Sequence, residues 1–242
     1  DLLQWLDLPP PAHWAQAVDL LQQLGAVDAG GRITAIGRQM ARFPAHPRLA
    51  QVLAAAADAT DQVLASDVAA LMSERDPMRG GQNPGADLGE RLEALQAYRD
   101  RAAIGPDMDR ATLKQIDRVA RQFLQLCTKQ GVAGTATMTP ARCLTLAYPD
   151  RVAMCTSPDG RRYLMRNGRA ALLRESDQLR GSPLLAVAAV DAGRKDGSIR
   201  LAAAIGRDEF DDWFGDQVFS GRELRWDPDR GDVIARQVRR LD

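Results

Sequence analysis

The side chains that most often carry out chemistry are scarce in this sequence. Histidine occurs only at His13 and His46. His13 stands just before Trp14 at a helix start, and His46 sits between Ala45 and Pro47; both suit capping or packing. A nucleophilic triad needs a histidine beside a nucleophile and an orienting acid, and neither position signals such partners. Cys127, Cys143 and Cys155 are odd in number, with no CxxC pair or His–Cys cluster, so neither a disulfide framework nor a zinc site is supported. Cys127 falls on an apolar helix face, where a buried thiol is expected. The acidic run Asp208-Glu209-Phe210-Asp211-Asp212 puts Asp208 on nearly the same helix face as Asp211 and Asp212. Phe210, Trp213 and Phe214 give that helix an apolar side, so the acids read as its solvated face, with Asp208 near the helix N-terminus. No GxxxxGK[ST] loop, GxGxxG turn, GxSxG elbow or HExxH pair occurs. No catalytic residue, metal ligand or cofactor-binding residue is assigned.

Two basic arrangements carry more weight. From Arg161 to Arg174 there are five arginines and no acid. With Asn167-Gly168 as a two-residue hairpin turn, Arg166 pairs with Arg169, Met165 with Ala170 and Tyr163 with Leu172. Tyr163, Met165, Ala170 and Leu172 then form a core face, and Arg162, Leu164, Arg166 and Arg169 face outward. Like charges paired across a hairpin are unfavourable unless neutralised, either by a phosphate backbone or by acids such as Asp159 or Asp177. The second arrangement is a stripe of Arg110, Lys114, Arg118, Arg121 and Gln125, spaced at helical intervals opposite an apolar stripe. A surface helix can show such a face without any ligand, and Asp117 flanks it. Arg162, Arg166, Arg169, Arg110, Lys114, Arg118 and Arg121 are the candidate nucleic-acid-binding residues.

The 242 residues suit one large domain or two to three small ones. Formal net charge is zero, from 32 basic and 32 acidic residues, so no global field announces a nucleic-acid partner. Only Lys114, Lys129 and Lys195 are lysines. A GC-rich genome explains that bias, and so does phosphate recognition by the guanidinium fork. No apolar run approaches the roughly 18 residues of a membrane span, and Asp1 to Asp7 lack a secretory signal. The expected compartment is the cytoplasm, and a chain opening on Asp reads as a fragment.

These groups need elements to position them. Ala12 to Leu24 is a helix opened by Pro10-Pro11 and stopped by Gly25; a small hairpin turns at Asp28-Ala-Gly-Gly31, and Thr34 caps a helix ended by Pro44. Pro47–Ala57, Asp61–Ser73, Leu88–Ile104 and Asp109–Gln130 read as four helices able to enclose a core, with a loop over Arg79–Gly85. After a short helix at Pro140–Ala147 the period becomes two. Arg151–Thr156, Arg161–Arg166, Arg169–Arg174, Leu184–Val190 and Ile199–Ile205 read as strands of a small barrel. Arg207–Phe214 is a short helix, and Gln217–Trp226 pairs with Asp232–Arg239 in a last hairpin.

Several phrases in order carry a family resemblance. Trp14-Ala-Gln-Ala-Val-Asp-Leu-Leu-Gln-Gln-Leu-Gly-Ala-Val27 is followed by Arg32-Ile-Thr-Ala-Ile-Gly-Arg-Gln-Met-Ala-Arg-Phe-Pro44 and His46-Pro-Arg-Leu-Ala50. They resemble the helicase-associated region of DEAH-box helicases. Leu144-Thr-Leu-Ala-Tyr-Pro-Asp-Arg-Val-Ala153, Tyr163-Leu-Met-Arg-Asn-Gly-Arg-Ala170 and Arg222-Glu-Leu-Arg-Trp226 are similar to its bacterial HrpB-type branch.

The resemblance implies an α+β multidomain chain: a winged-helix domain at 1–44, a helical ratchet bundle at 45–135, an OB-like β-barrel at 136–206, and a C-terminal helix and hairpin extension at 207–242. It further implies a parent ATP-dependent RNA helicase whose two RecA-like domains bind ATP and Mg. They lie outside this chain, which has no cofactor of its own and is expected to be catalytically inactive. The implied partners are single-stranded RNA and those RecA-like domains, with no membrane. The alternative is a protein-interaction scaffold with no RNA binding of its own.

Overall fold

A computed structural model of the chain describes residues 7–78, 85–131, 134–191, 196–227 and 232–241. Its first helix, α1 (Pro11–Gln23), starts where Pro11 supplies a preset φ. Val27 and Ile33 form a single antiparallel bridge, and α2 (Ala35–Met40) follows, with the Thr34 hydroxyl accepting from the Gly37 amide at 3.0 Å. Gly37 is required by packing: a Cβ there would run into the Ala26 carbonyl, so α2 can seat against the bridge only without a side chain.

Four helices build the bundle: α3 (Pro47–Ala55), α4 (Ala59–Ser73), α5 (Leu88–Arg99) and α6 (Arg110–Gln130). His46, Asp58, Asp87 and Asp109 accept from backbone amides at their N-termini, which makes His46 the cap its position suggested. The helix expected over Leu88–Ile104 ends at Arg99, because Arg101 turns to a left-handed φ of 57°. The loop expected over Arg79–Gly85 lies, up to position 84, outside the described residues. Val52, Leu53, Val68, Leu95, Leu113 and Ile116 are wholly buried between the helices.

An ionic chain crosses this apolar interior. Arg99 donates to both Asp67 oxygens at 2.7 and 2.6 Å and through Nε to Asp117 at 2.7 Å; Asp117 also receives Arg121 at 3.0 Å. α4, α5 and α6 are thereby tied by charge-assisted, partly bidentate bonds, and the two carboxylates hold the Arg99 guanidinium firmly in its charged form.

The barrel follows α7 (Pro140–Ala147). Strands β1 (Val152–Cys155), β2 (Arg162–Met165), β3 (Ala170–Leu172), β4 (Leu184–Asp191) and β5 (Gly197–Ala204) close in the order β1-β2-β3-β5-β4, with β3 and β5 parallel and the other pairs antiparallel. Tyr163, Leu185, Val187 and Ile199 fill the interior, and the Tyr163 hydroxyl donates to the Ser182 carbonyl at 2.9 Å. The bundle core runs on through α7 to Ala186 and Ala188 of β4, Ala203 of β5 and Ile205 just after it. Helix α8 (Arg207–Phe214) then leads to a two-stranded sheet of β6 (Val218–Asp227) and β7 (Asp232–Leu241). Among the described residues, no helix is long and apolar enough to cross a membrane.

Two expected outcomes test this packing. Replacing Arg99 by Met leaves the buried Asp67 without a counter-charge and the buried Asp117 with Arg121 alone, and should destabilise the fold by roughly 3 kcal/mol in urea denaturation. Burial, with Asp61 nearby, pushes the Cys143 thiol from 9.0 up to about 12. Because the folded state keeps this proton longer than the unfolded chain, the contribution is complete below pH 9 and is lost as pH rises toward 12. Cys143→Ala should flatten that alkaline decline in melting temperature.

Candidate nucleic-acid interface

The β2–β3 hairpin is built differently from the two-residue turn its sequence suggests. Arg162 pairs with Leu172, Tyr163 with Ala171 and Leu164 with Ala170. The loop is therefore the three residues Arg166-Asn167-Gly168, closed by Gly168 N–H to the Met165 carbonyl at 2.9 Å and Met165 N–H to the Arg169 carbonyl at 2.9 Å. Gly168 has a φ of +79°, as expected of a type I turn finished by a left-handed glycine. The slip of one residue exchanges the faces of β3: Ala171 and Leu173 enter the core beside Tyr163 and Met165, and Ala170 and Leu172 turn outward. The physical gain is twofold. Leu173 is buried more completely than Leu172, and the direct Arg166–Arg169 pairing is avoided.

On the outer face, Arg162 is neutralised by Asp196, Nε to Oδ2 at 3.0 Å, an acid from the far side of the sequence rather than Asp159 or Asp177. Asp177 is instead buried, where it accepts the Ala86 and Leu179 amides at 2.8 and 3.0 Å. Arg166 and Arg169 are exposed, and no carboxylate pairs with either among the described residues. Between Arg162 and Arg166, Leu164 stands directly across the β1–β2 ladder from Met154, and the two are 41% and 51% exposed. Arg166 follows Leu164 by two residues and continues this face, whereas Arg169, opposite Met165 and two residues before Ala171, moves with the slip to the other side at the hairpin tip, contrary to its expected outward position. The face thus offers one unpaired guanidinium, one paired guanidinium and an apolar step.

The α6 stripe exists as a surface but is less free. Arg110 lies over the Tyr98 ring at 5.4 Å and Arg121 is held by Asp117. Lys114 and Arg118 are exposed and make no ion pair with described residues. α6 packs on α4 and α5, whereas β2 and β3 pack within the barrel, so the fold does not merge the two basic groups into one continuous site.

A basic cluster that sequence reasoning missed joins the bundle to the barrel. Arg48 of α3 donates to the Ala147 carbonyl at 2.7 Å and to Asp150 at 2.8 Å. Its guanidinium and that of Arg151 each lie over the Tyr148 ring, at 4.8 and 4.7 Å. Arg142 stacks similarly on Trp213 at 4.8 Å. Arg48 lies 99 and 102 residues from the groups it bonds, and Arg142 and Trp213 are equally remote from any common local pattern, so periodicity could not have signalled these contacts. The acidic run at Asp208–Asp212 has a structural use: the Glu209 carboxylate caps Gly206 N–H at 2.9 Å and accepts from Thr139 at 3.0 Å. Among the described residues no group of three His, Cys, Asp or Glu could hold a metal ion.

Comparison with known proteins places this architecture. Residues 17–45 match the winged-helix part of the helicase-associated domain family. The chain is 30% identical over 236 residues to the ATP-dependent RNA helicase HrpB of Escherichia coli, covering 96% of this chain and 26% of that protein. Along nearly its whole length this chain is similar to one quarter of an HrpB-type helicase. The crystal structure of the E. coli DExH-box NTPase HrpB superposes on it with a TM-score of 0.71 at 27% identity, over 98% of this chain and 26% of that one. A second structure, of the E. coli DEAH/RHA helicase HrpB, gives 0.71 at 26% identity over 99% and 27%. The chain spans about a quarter of the length of these HrpB relatives.

The hairpin geometry gives one check. Alanine at position 168 would have to take a left-handed φ, at a cost of about 1 kcal/mol, whereas asparagine tolerates that region. Gly168→Ala should lower the melting temperature measurably and Gly168→Asn should leave it nearly unchanged.

Proposed function

We propose that this chain is a nucleic-acid-gripping accessory module of an ATP-dependent RNA helicase, with ATP and Mg bound by RecA-like domains outside it and no catalysis of its own. On this reading residues 1–44 form the winged helix, 45–135 the ratchet bundle and 136–206 an OB-like barrel, followed by the extension at 207–242, and the assembly works in the cytoplasm. The observation that carries it is the outer face of β1 and β2, where Arg166 lacks a carboxylate partner near the exposed Met154–Leu164 pair, with Arg169 exposed and likewise without a carboxylate at the hairpin tip. A five-stranded barrel whose third and fifth strands run parallel supports the OB-like assignment, and such barrels bind oligonucleotides on the face of their second and third strands. Unpaired guanidiniums attract phosphate, and the apolar step can accept a sugar or base. The near-complete alignment with a protein named as an RNA helicase supports RNA as the polymer.

The test is binding of labelled oligouridine followed by anisotropy at several salt concentrations. Wild-type chain should bind weakly, with affinity falling as salt rises. Replacing Arg166 and Arg169 together by Glu should weaken binding at least tenfold and make the salt slope shallower by about 1.4, the release expected for two single-strand phosphate contacts. Arg162→Glu should have less effect, since Asp196 already offsets that charge. Undetectable binding at low salt, or an unchanged affinity in the double variant, overturns the reading in favour of a protein-interaction scaffold.

A further inference from the structure

A cleft of about 620 Å³ opens where α7, α8, the tip of the β2–β3 hairpin and the middle of α3 face one another. Arg142, Arg166, Asn167, Gln51 and Trp213 line it, together with Asp150. Its volume lies within the range of small-molecule sites, and its chemistry is unbalanced in one direction. Asp150, the acid in its wall, is already engaged by Arg48 at 2.8 Å and Arg151 at 3.6 Å. Among the described residues no carboxylate pairs with Arg142 or Arg166. Arg142 is half-buried, and desolvation pushes its pKa down. Among the described residues its guanidinium lies over the Trp213 ring, and an aromatic face offsets a desolvated cation less completely than an anion does. A second observation is independent of charge. The Oε1 atom of Gln51 is buried and has no hydrogen-bond partner, a condition that buried polar atoms rarely meet.

Two guanidiniums without counter-ions and one amide oxygen without a donor define a complementary molecule. It must carry a compact anion and a hydroxyl or amine. We propose that this cleft binds the phosphate ester of a ribonucleotide, with Arg142 and Arg166 on the phosphate and the Gln51 amide turning its buried oxygen toward the cleft to accept from a ribose hydroxyl or a base amine. Trp213 fixes the Arg142 plane, so the fork is oriented before the ligand arrives. Asn167 is held by its own backbone N–H to the Asp150 carbonyl at 3.1 Å, which fixes the hairpin tip against the cleft wall. The phosphate has two possible sources, a strand lying across the hairpin or a free nucleotide. The inference rests on the RNA reading for the first source and is independent of it for the second.

The experiment titrates the chain with uridine 5′-monophosphate and, separately, with oligouridine lacking a terminal phosphate. The readouts are calorimetry and the emission of Trp213, identified by its loss in Trp213→Phe. The variants are Arg142→Gln and Gln51→Leu. Arg142→Lys, which keeps charge but not the planar fork, serves as the folded control, and all are compared by thermal melting. At least a tenfold loss of mononucleotide affinity in Arg142→Gln, with a severalfold loss in Gln51→Leu, supports the cleft and a free nucleotide. The same losses for oligouridine alone support the cleft and a strand. Oligouridine binding untouched by either variant, with a silent mononucleotide, overturns the cleft and leaves the RNA reading standing. Mononucleotide binding without oligouridine binding does the reverse. Failure of wild-type chain to bind either probe overturns both.

Discussion

The Arg48–Asp150 pair fixes how the helical and β parts of this molecule can be arranged. Arg48 belongs to α3, in the centre of the bundle; Asp150 sits in the short turn between α7 and β1. The carboxylate holds Arg48 and Arg151, while the backbone carbonyl of the same residue receives the Asn167 amide from the hairpin tip. One residue therefore links a bundle helix, the entry to the barrel and the loop that carries Arg166. Both side chains of the central pair are largely out of solvent, so removing one partner would leave a desolvated charge facing the other. Tyr148 closes the joint by offering its ring face to both guanidiniums.

A chain of zero net charge can still present a local cationic surface if its acids are committed elsewhere. That is the pattern here. Asp67 and Asp117 are drawn inside the bundle by Arg99, Asp150 faces Arg48 and Arg151, and Asp177 is buried on backbone amides. Asp58, Asp87 and Asp109 cap helices. What remains without a carboxylate among the described residues includes Arg166, Arg169, Arg142, Lys114 and Arg118. Global charge counts miss this because they weigh a carboxylate capping a helix the same as one beside a surface arginine. Screening acts at about 10 Å in moderate salt, so the local arrangement, not the sum, is what a phosphate meets.

The helices and strands were largely legible because their signals are local. Asp109 as cap and an apolar stripe through Leu113, Ile116 and Ala120 define α6, and Pro140 and Thr139 define the start of α7. The hairpin was legible as a hairpin but not in register. Asn-Gly favours a two-residue turn locally, while the decision lay with Leu173, whose burial depends on a barrel that closes only when β5 and β4 arrive. The arginine side chains were legible as a cluster, yet their states were not: Asp196, thirty-four positions from Arg162, converts it from a free cation to half of an ion pair. The Arg142–Trp213 and Arg48–Tyr148 contacts leave no trace in periodicity, since each depends on where two distant helices or turns come to rest.

The composition of the outer barrel face also bears on the kind of grip it can offer. Sequence-specific readout needs side chains that match the donors and acceptors of a base edge in a fixed geometry. Here the exposed groups beside the arginines are Met154 and Leu164, which contact any base or sugar alike. On the proposed reading, affinity then comes mainly from phosphate neutralisation, which is indifferent to sequence and sensitive to salt. A module that must release one nucleotide and accept the next benefits from such contacts, because neighbouring positions along a strand are energetically equivalent. The ion pair between Arg162 and Asp196 fits the same logic: it keeps part of the cationic surface attenuated and so limits how tightly a strand can be held.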